Sequence, residues 1–272
     1  MDQPLRDSIN GKVFAGWLRR WLAHPLARDL DLESSEATEV HARLIREKGL
    51  LRRLYHGYYV AYDEVIARAS PGGLIVEIGS GGGYYRSLRR NVISMDLRPG
   101  ADVDIVGSAL AIPLRSHSAS AILLLNVLHH LPDPAAFFHE CARILKPGGR
   151  VCLIEPYVGP LSRRVVKPLH HEPWDESAAW SLQDTGPMTA ANMAMPWIIF
   201  FRDRARYDSE FVQLPVSRIR LHTIAMYLLS GGVSMRSLLP GFLFGPTLAV
   251  ERLLSPLAPS LATMMTVELV RR

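Results

Sequence analysis

The sequence predicts an α/β fold in which helices flank a mostly parallel central sheet, and three observations carry that expectation. The stretch Leu74-Ile-Val-Glu-Ile-Gly-Ser-Gly-Gly-Gly-Tyr-Tyr85 reads as a short apolar strand running into a glycine-rich turn. Ala121-Ile-Leu-Leu-Leu-Asn126 is almost continuously apolar, the pattern of a parallel strand buried on both faces. Around these two, strand-type runs alternate with helical ones as far as Glu155, which is the order of βαβ units.

Taken in order, the chain opens with apolar residues at helical spacing: Val13, Phe14, Trp17, Leu18, Trp21 and Leu22 lie between Asn10 and His24. Such an amphipathic helix packs on its own domain or rests on a membrane surface with Trp and Arg at headgroup level. Pro25 and the acidic segment Asp29 to Glu36 form a loop, and Ser34, Ser35 and Thr38 are candidate caps for a helix that runs to about Lys48. Gly49 interrupts it, and a further helix is expected from Leu54 to Ala69. Tyr55, Tyr58, Tyr59, Tyr62 and Ile66 fall close to one face of that helix, as core or, for Tyr58 or Tyr59, as pocket wall. Ser70-Pro-Gly-Gly73 is a turn.

The glycine turn is the informative element. A dinucleotide fingerprint, G-x-G-x-x-G counted from Gly79 and Gly81, requires a third glycine where this chain has Tyr84. The order acid-x-G-x-G-x-G, with Glu77, Gly79, Gly81 and Gly83, does fit. It resembles the first motif of class I S-adenosylmethionine-dependent methyltransferases. That resemblance implies that the glycines, with Ser80, pack against the methionine part and ribose of the cofactor, and that Glu77 orients its amino end. Gly79, Gly81, Gly82 and Gly83 are all expected to clear Cβ atoms from the ligand's path.

Asn91-Val-Ile-Ser-Met-Asp96 is a second strand ending in a carboxylate. An acid there can accept hydrogen bonds from both ribose hydroxyls through its two oxygens, in dinucleotide and methyltransferase sites alike. Val103 to Val106 is a short third strand. Gly107-Ser-Ala-Leu-Ala-Ile-Pro-Leu114 then resembles the family segment that meets adenine, with Ser108 in the place of the usual Asp and Ala109 offering its backbone N–H. The same resemblance assigns Leu97 and Asn126 to the cofactor wall.

Val127-Leu-His-His-Leu-Pro-Asp-Pro134 resembles the loop after the fourth strand in quinone-biosynthesis and many bacterial small-molecule methyltransferases. The Asn/Asp-Pro-Pro-Tyr/Phe of enzymes that methylate DNA bases or glutamine amides is absent. Pro134 to Leu145 is a helix stopped by Lys146-Pro-Gly-Gly149, ahead of the strand Arg150 to Glu155. The resemblance covers Leu74 to Pro156 and implies a Rossmann-like, seven-stranded, mostly parallel sheet. Residues 1–70 are then an N-terminal helical cap, 71–156 the cofactor-binding core, and 157–272 a substrate lid insertion that also completes the sheet. Strands are expected over Ser217 to His222 and Met264 to Val270, the last antiparallel at one edge.

Leu169-His-His-Glu-Pro-Trp-Asp175 lies where lids form in this fold. His170, His171 and Glu172 are candidates for a general base, for a divalent metal, or for an internally satisfied loop, and no metal is assigned. His129 and His130 are pocket-lining candidates for proton transfer, and the catalytic candidates are thus His129, His130, His171 and Glu172. Arg163, Arg164 and Lys167 are surface charges or a clamp for an anionic group.

Composition limits the remaining possibilities. The chain has 272 residues, 48% of them hydrophobic, and a formal charge of +5 with Lys and Arg interleaved among acids, so nucleic acid is not indicated. Two cysteines without C-x-x-C spacing, no secretory signal and no long apolar span point to the cytoplasm, with peripheral contact at the inner face of a membrane as an extension. The expected activity is S-adenosylmethionine-dependent O- or C-methylation of a small molecule, apolar or lipid-linked. The alternatives are a non-catalytic or membrane-associated accessory protein that binds the cofactor, and an NAD(P)-dependent oxidoreductase.

Overall fold

The computed structural model describes residues 20–170, 172–182, 186 and 190–272. Most of the predicted N-terminal amphipathic helix therefore lies outside the described residues. Helices α1 (Ser35–Glu47) and α2 (Gly49–Arg68) precede strand β1 (Leu74–Ile78). Then follow α3 (Tyr84–Leu88), β2 (Val92–Asp96), β3 (Ile105–Val106), β4 (Ala119–Leu125), α4 (Pro134–Ile144) and β5 (Leu145–Pro156). Past a long segment that includes α5 (Arg204–Glu210) come β6 (Val216–His222), α6 (Met226–Ser230), α7 (Phe244–Leu253) and β7 (Met264–Val270).

The seven strands form one sheet in the order β3-β2-β1-β4-β5-β7-β6. Its first five strands are parallel, and β7 runs antiparallel to both β5 and β6. β7 was expected at an edge, but it lies inside the sheet with β6 outside it. Side chains explain the exchange: β7 is buried along nearly its whole length, whereas β6 carries the exposed charge of Arg218 and half-buried Arg220. Such charges suit an edge and discourage further strand pairing.

The apolar run of β4 is used on both faces. Ile122 and Leu124 join Val76, Leu153, Phe137 and Phe138 on one side, while Ala121 and Leu123 join Cys152, Ile154, Tyr62 and Tyr85 on the other. The second cluster is closed by α2, whose Tyr59 and Tyr62 rings lie 4.8 Å and 5.1 Å from Tyr85. The first is closed by α4 and by the segment after β5, where Phe200, Tyr207 and Phe211 surround Phe138 at 5.2–6.0 Å. That segment is thus partly core as well as a covering for the sheet's end.

Ends of helices follow local chemistry. Ser34 Oγ accepts from Ala37 N to start α1, and Asp133 accepts from Ala136 N with Pro134 at the first helical position of α4. Gly49 does not precede a separate loop. The extended residue Lys48 alone breaks the path, and α2 begins one turn earlier than its aromatic stripe implies. Lys48 is buried and donates to the carbonyls of Gly232 and Met235, tying the α1–α2 corner to the loop after α6. Burial holds its pKa down at about 8.

Candidate functional site

A cavity of about 640 Å³ opens at the carboxyl ends of β1, β2, β4 and β5. Strand order reverses between β1 and β4, and in open α/β sheets ligands bind at such a switch point. Thr38, His41 and Ala42 of α1 form one wall, and Tyr227 and Val233–Met235 form another. Val166, Leu169, His170, Glu172, Ala190 and Met193, from the segment after β5, form a third. Its size falls within the range of small-molecule sites. Tyr59 and Tyr55 reach it, whereas Tyr58 packs against His222 away from it.

The glycine turn divides by role. A Cβ on Gly79 would come within 2.4 Å of Val127, one on Gly82 within 2.1 Å of Ala42, and one on Gly83 within 2.2 Å of Asp102. Those three glycines let the loop pack against protein. Only at Gly81 would a Cβ point into space with nothing within 4 Å, and its φ is +54°. The expectation that all four clear a ligand's path therefore narrows to Gly81.

Glu77, at the carboxyl half of β1, is 5% exposed and its Oε2 has no hydrogen-bond partner among the described residues. Burial, with the nearby charge of Asp96, pushes its carboxyl up to about 8. A buried acceptor without a donor is costly and suits a ligand that brings a donor or a positive charge. Ser80 Oγ is a second such orphan beside it. Asp96 Oδ2 accepts from Gly81 N at 2.8 Å and Oδ1 from Arg98 N at 3.1 Å, which fixes the carboxylate and leaves further lone pairs facing the cavity.

Leu97 is 51% exposed on the cavity rim, and Ser108 Oγ accepts from Leu110 N at 3.2 Å, so one of its two acceptor positions is taken. Ala109 is buried on the same wall. Asn126 directly follows β4 with φ at +55°, a conformation Asn tolerates better than most residues, and donates its N–H to the Ile154 carbonyl. An orphaned carboxylate, an open glycine and a fixed strand-end acid together fit S-adenosylmethionine: an ammonium for Glu77, a close-approaching backbone at Gly81 and a diol for Asp96.

At the other end of the cavity His129, His130 and Glu172 converge. His129 and His130 sit on a short 3-10 turn after β4. Glu155, at the end of β5, anchors that turn: its Oε1 accepts from Val127 N at 2.9 Å and Leu128 N at 2.7 Å, and its Oε2 meets His129 Nδ1 at 2.6 Å. His129 Nε2 then faces Glu172 at 3.4 Å, and His130 Nε2 faces the other Glu172 oxygen at 3.6 Å. His130 Nδ1 is 3.1 Å from the Ala190 carbonyl.

Burial alone would lower the pKa of His129, but Glu155 and then Glu172 outweigh it and push the imidazole up to about 10. His130 is held down at about 4 by burial and by the charge of His129. Glu172 lies well below the usual carboxylate range, because its contacts with His129 outweigh its own burial.

Sequence reasoning gave Glu155 no role. The signal was an acid closing an otherwise apolar strand, the same signal that marked Asp96. His171 lies outside the described residues. Arg163, considered as an anion clamp, is paired with Glu176 at 2.8 Å.

Comparison with known proteins agrees with this geometry. A family model described as a methyltransferase domain matches residues 76–153. The ubiquinone biosynthesis O-methyltransferase of Xanthomonas campestris pv. campestris (strain B100) is 28% identical over 192 residues, taking in 55% of this chain and 77% of that one. The protein of the same name from Xylella fastidiosa (strain M23) is 34% identical over 112 residues, 34% of this chain and 46% of its own. Among solved structures, geranyl diphosphate C-methyltransferase from Streptomyces coelicolor A3(2) superposes with a TM-score of 0.52 at 16% identity, over 92% of this chain and 89% of that one. This last likeness concerns the fold.

Proposed function

Because the chain belongs to the class I S-adenosylmethionine-dependent methyltransferases, we propose that its cavity brings that cofactor together with a small-molecule acceptor methylated at oxygen or carbon. The observation that carries the reading is the orphaned, buried Oε2 of Glu77 beside the open face of Gly81. When bound, the cofactor supplies a methyl group on a sulfonium, a donor that is already activated.

Glu77 accepts from the ammonium of the methionine part, and Asp96 from the ribose hydroxyls. Leu97 gives an apolar platform at the rim, with Ser108, Ala109 and Asn126 along the base-binding wall. Gly79 and Gly83 shape the loop from behind. His129, His130 and Glu172 form the acceptor end of the cavity. The largest contribution of these residues is orientation and exclusion of water, since alignment of two bound groups removes much of the barrier to a bimolecular transfer.

None of the three groups at the acceptor end has a pKa near neutrality. His129 is held protonated, and His130 and Glu172 are weak bases. A freely titrating general base is therefore not what this cluster offers an acceptor.

Isothermal titration with S-adenosylmethionine, S-adenosylhomocysteine and NAD(P) tests the reading. Saturable binding of the first two, without the third, is expected. Binding of NAD(P) alone would return the site to dinucleotide chemistry, and cofactor binding without turnover over a broad acceptor panel would favour an accessory role.

Phe242, Val250 and Leu253 expose large apolar side chains on and before α7, and Trp21 is 63% exposed. They support peripheral contact with a membrane and a lipid-linked acceptor. No helix among the described residues is long and apolar enough to cross a bilayer. Phe242→Ser with Leu253→Ser is expected to lower co-sedimentation with anionic vesicles while leaving S-adenosylhomocysteine affinity unchanged. Equal sedimentation of parent and variant would end this reading.

A further inference from the structure

We infer that His129, His130 and Glu172 form a divalent-cation site of zinc type, with an open position toward the cavity that an oxygen atom of the acceptor fills. The acceptor half of this inference rests on the methyl-transfer reading above; the cation site does not.

The spacing of the three groups leaves room for one ion between them. Charged hydrogen bonds between imidazole and carboxylate close to about 2.7–2.9 Å, and His129 Nδ1 does close on Glu155, at 2.6 Å. The contacts with Glu172 stay wider: His129 Nε2 is 3.4 Å from Oε2 and His130 Nε2 is 3.6 Å from Oε1, while Oε2 also lies 3.7 Å from His170 Nδ1. A tetrahedral ion with bonds of about 2.1 Å sets its ligand atoms about 3.4 Å apart. All three ligand atoms lie within 4.8 Å of one another, so a small movement of one ring would complete the triangle.

Outer contacts point the same way. A metal-bound histidine commonly has its other ring nitrogen held by a carboxylate or a backbone carbonyl, which fixes the tautomer and aims the ligating nitrogen. Here Glu155 holds Nδ1 of His129 and the Ala190 carbonyl faces Nδ1 of His130, so both Nε2 atoms are aimed at Glu172. The ion would displace the Nε2 proton of His129 to solvent while Nδ1–H stays on Glu155, and two imidazoles and a carboxylate then make a borderline-soft donor set, suited to zinc or cobalt more than to magnesium. Three protein ligands leave a fourth position open, as in catalytic zinc sites. That position faces the cavity, since all three residues line it.

A cation at this point would lower the pKa of a hydroxyl placed on it, whose proton would then leave to solvent. The acceptor class that follows is one carrying an oxygen donor next to the atom to be methylated, or methylated at that oxygen.

The test uses the full chain, stripped with a chelator, whose circular dichroism and cooperative thermal unfolding serve as a check of the fold. Zn²⁺ alone is titrated calorimetrically and Co²⁺ alone by visible absorption. One equivalent of Zn²⁺ and the intense absorption of tetrahedral Co²⁺ are expected. Glu172→Gln and His130→Gln should each weaken Zn²⁺ binding by at least the roughly 10- to 100-fold that loss of an outer contact costs, with S-adenosylhomocysteine affinity kept. No stoichiometric uptake by the folded parent, or uptake that survives both substitutions, would overturn the site. Acetohydroxamate, a small oxygen donor, should shift the Co²⁺ bands; unchanged bands would overturn the open position. Metal uptake without S-adenosylhomocysteine binding would leave the cation site standing and remove the methyl-transfer reading, and the converse result would do the opposite.

Discussion

Glu77→Gln is expected to melt at a higher temperature than the parent above pH 8 and to bind S-adenosylhomocysteine roughly ten- to hundredfold more weakly, the worth of a hydrogen bond to a charged group. Both effects come from one buried carboxyl that lacks a partner until a ligand arrives. Its folded pKa, about 8, is raised above the ordinary value of 4.5, mainly by burial. Between those two pH values the unfolded chain has lost the proton and the folded chain keeps it. Stability therefore falls as pH rises through that window, by about 1.4 kcal/mol per unit for a single group. Glutamine cannot ionise, so the variant should lose this slope.

The same carboxyl predicts a proton count. At pH 6.5 the cofactor's ammonium meets a protonated Glu77, and the ion pair forms only when that proton leaves. Calorimetry in buffers of different ionisation enthalpy should detect the release of nearly one proton on binding by the parent, none by Glu77→Gln, and little by the parent above pH 9. Equal affinity and equal proton release in the two proteins would show that Glu77 does not meet the ligand's charge.

Much of this site was legible because its determinants are short in sequence. Glu77, Gly81 and Asp96 lie within twenty residues of one another, on two strands consecutive in sequence and the turn after the first, and residues at or just past a strand's carboxyl end are displayed at that edge of the sheet whatever the remainder of the chain does. The acceptor end is assembled from three distant segments: the turn at His129, the end of β5 at Glu155 and the loop at Glu172. No periodicity connects them. The two histidines could be named from sequence, but their opposite protonation could not, because it depends on a carboxylate 26 residues away.

The position of β7 failed for a related reason. Its sequence reads as a strand, but its place between β5 and β6 is decided by which strand tolerates an exposed face, and Arg218 and Arg220 settle that only once both are compared.

The glycine turn gives the other large expected effect, and it separates ligand from scaffold. Gly81→Ala adds a methyl group where the protein leaves space, in a backbone conformation that costs alanine about 1–2 kcal/mol. Its melting temperature should fall by only a few degrees. S-adenosylhomocysteine affinity should fall about 100-fold, because the new Cβ stands where the loop backbone must approach the ligand. Gly82→Ala adds the same methyl group 2.1 Å from the Ala42 Cβ, which cannot rotate away because it has no side-chain torsion. Helix α1 must then lift off the loop, and a loss of about 3 kcal/mol, the upper range for overpacking, is expected in denaturant unfolding. Gly82→Ala with Ala42→Gly returns the space and should recover most of that loss, whereas no substitution at Ala42 should recover binding by Gly81→Ala. If Gly81→Ala binds as tightly as the parent, the open face at that residue is not where the cofactor lies, and the assignment of Glu77 to its ammonium falls with it.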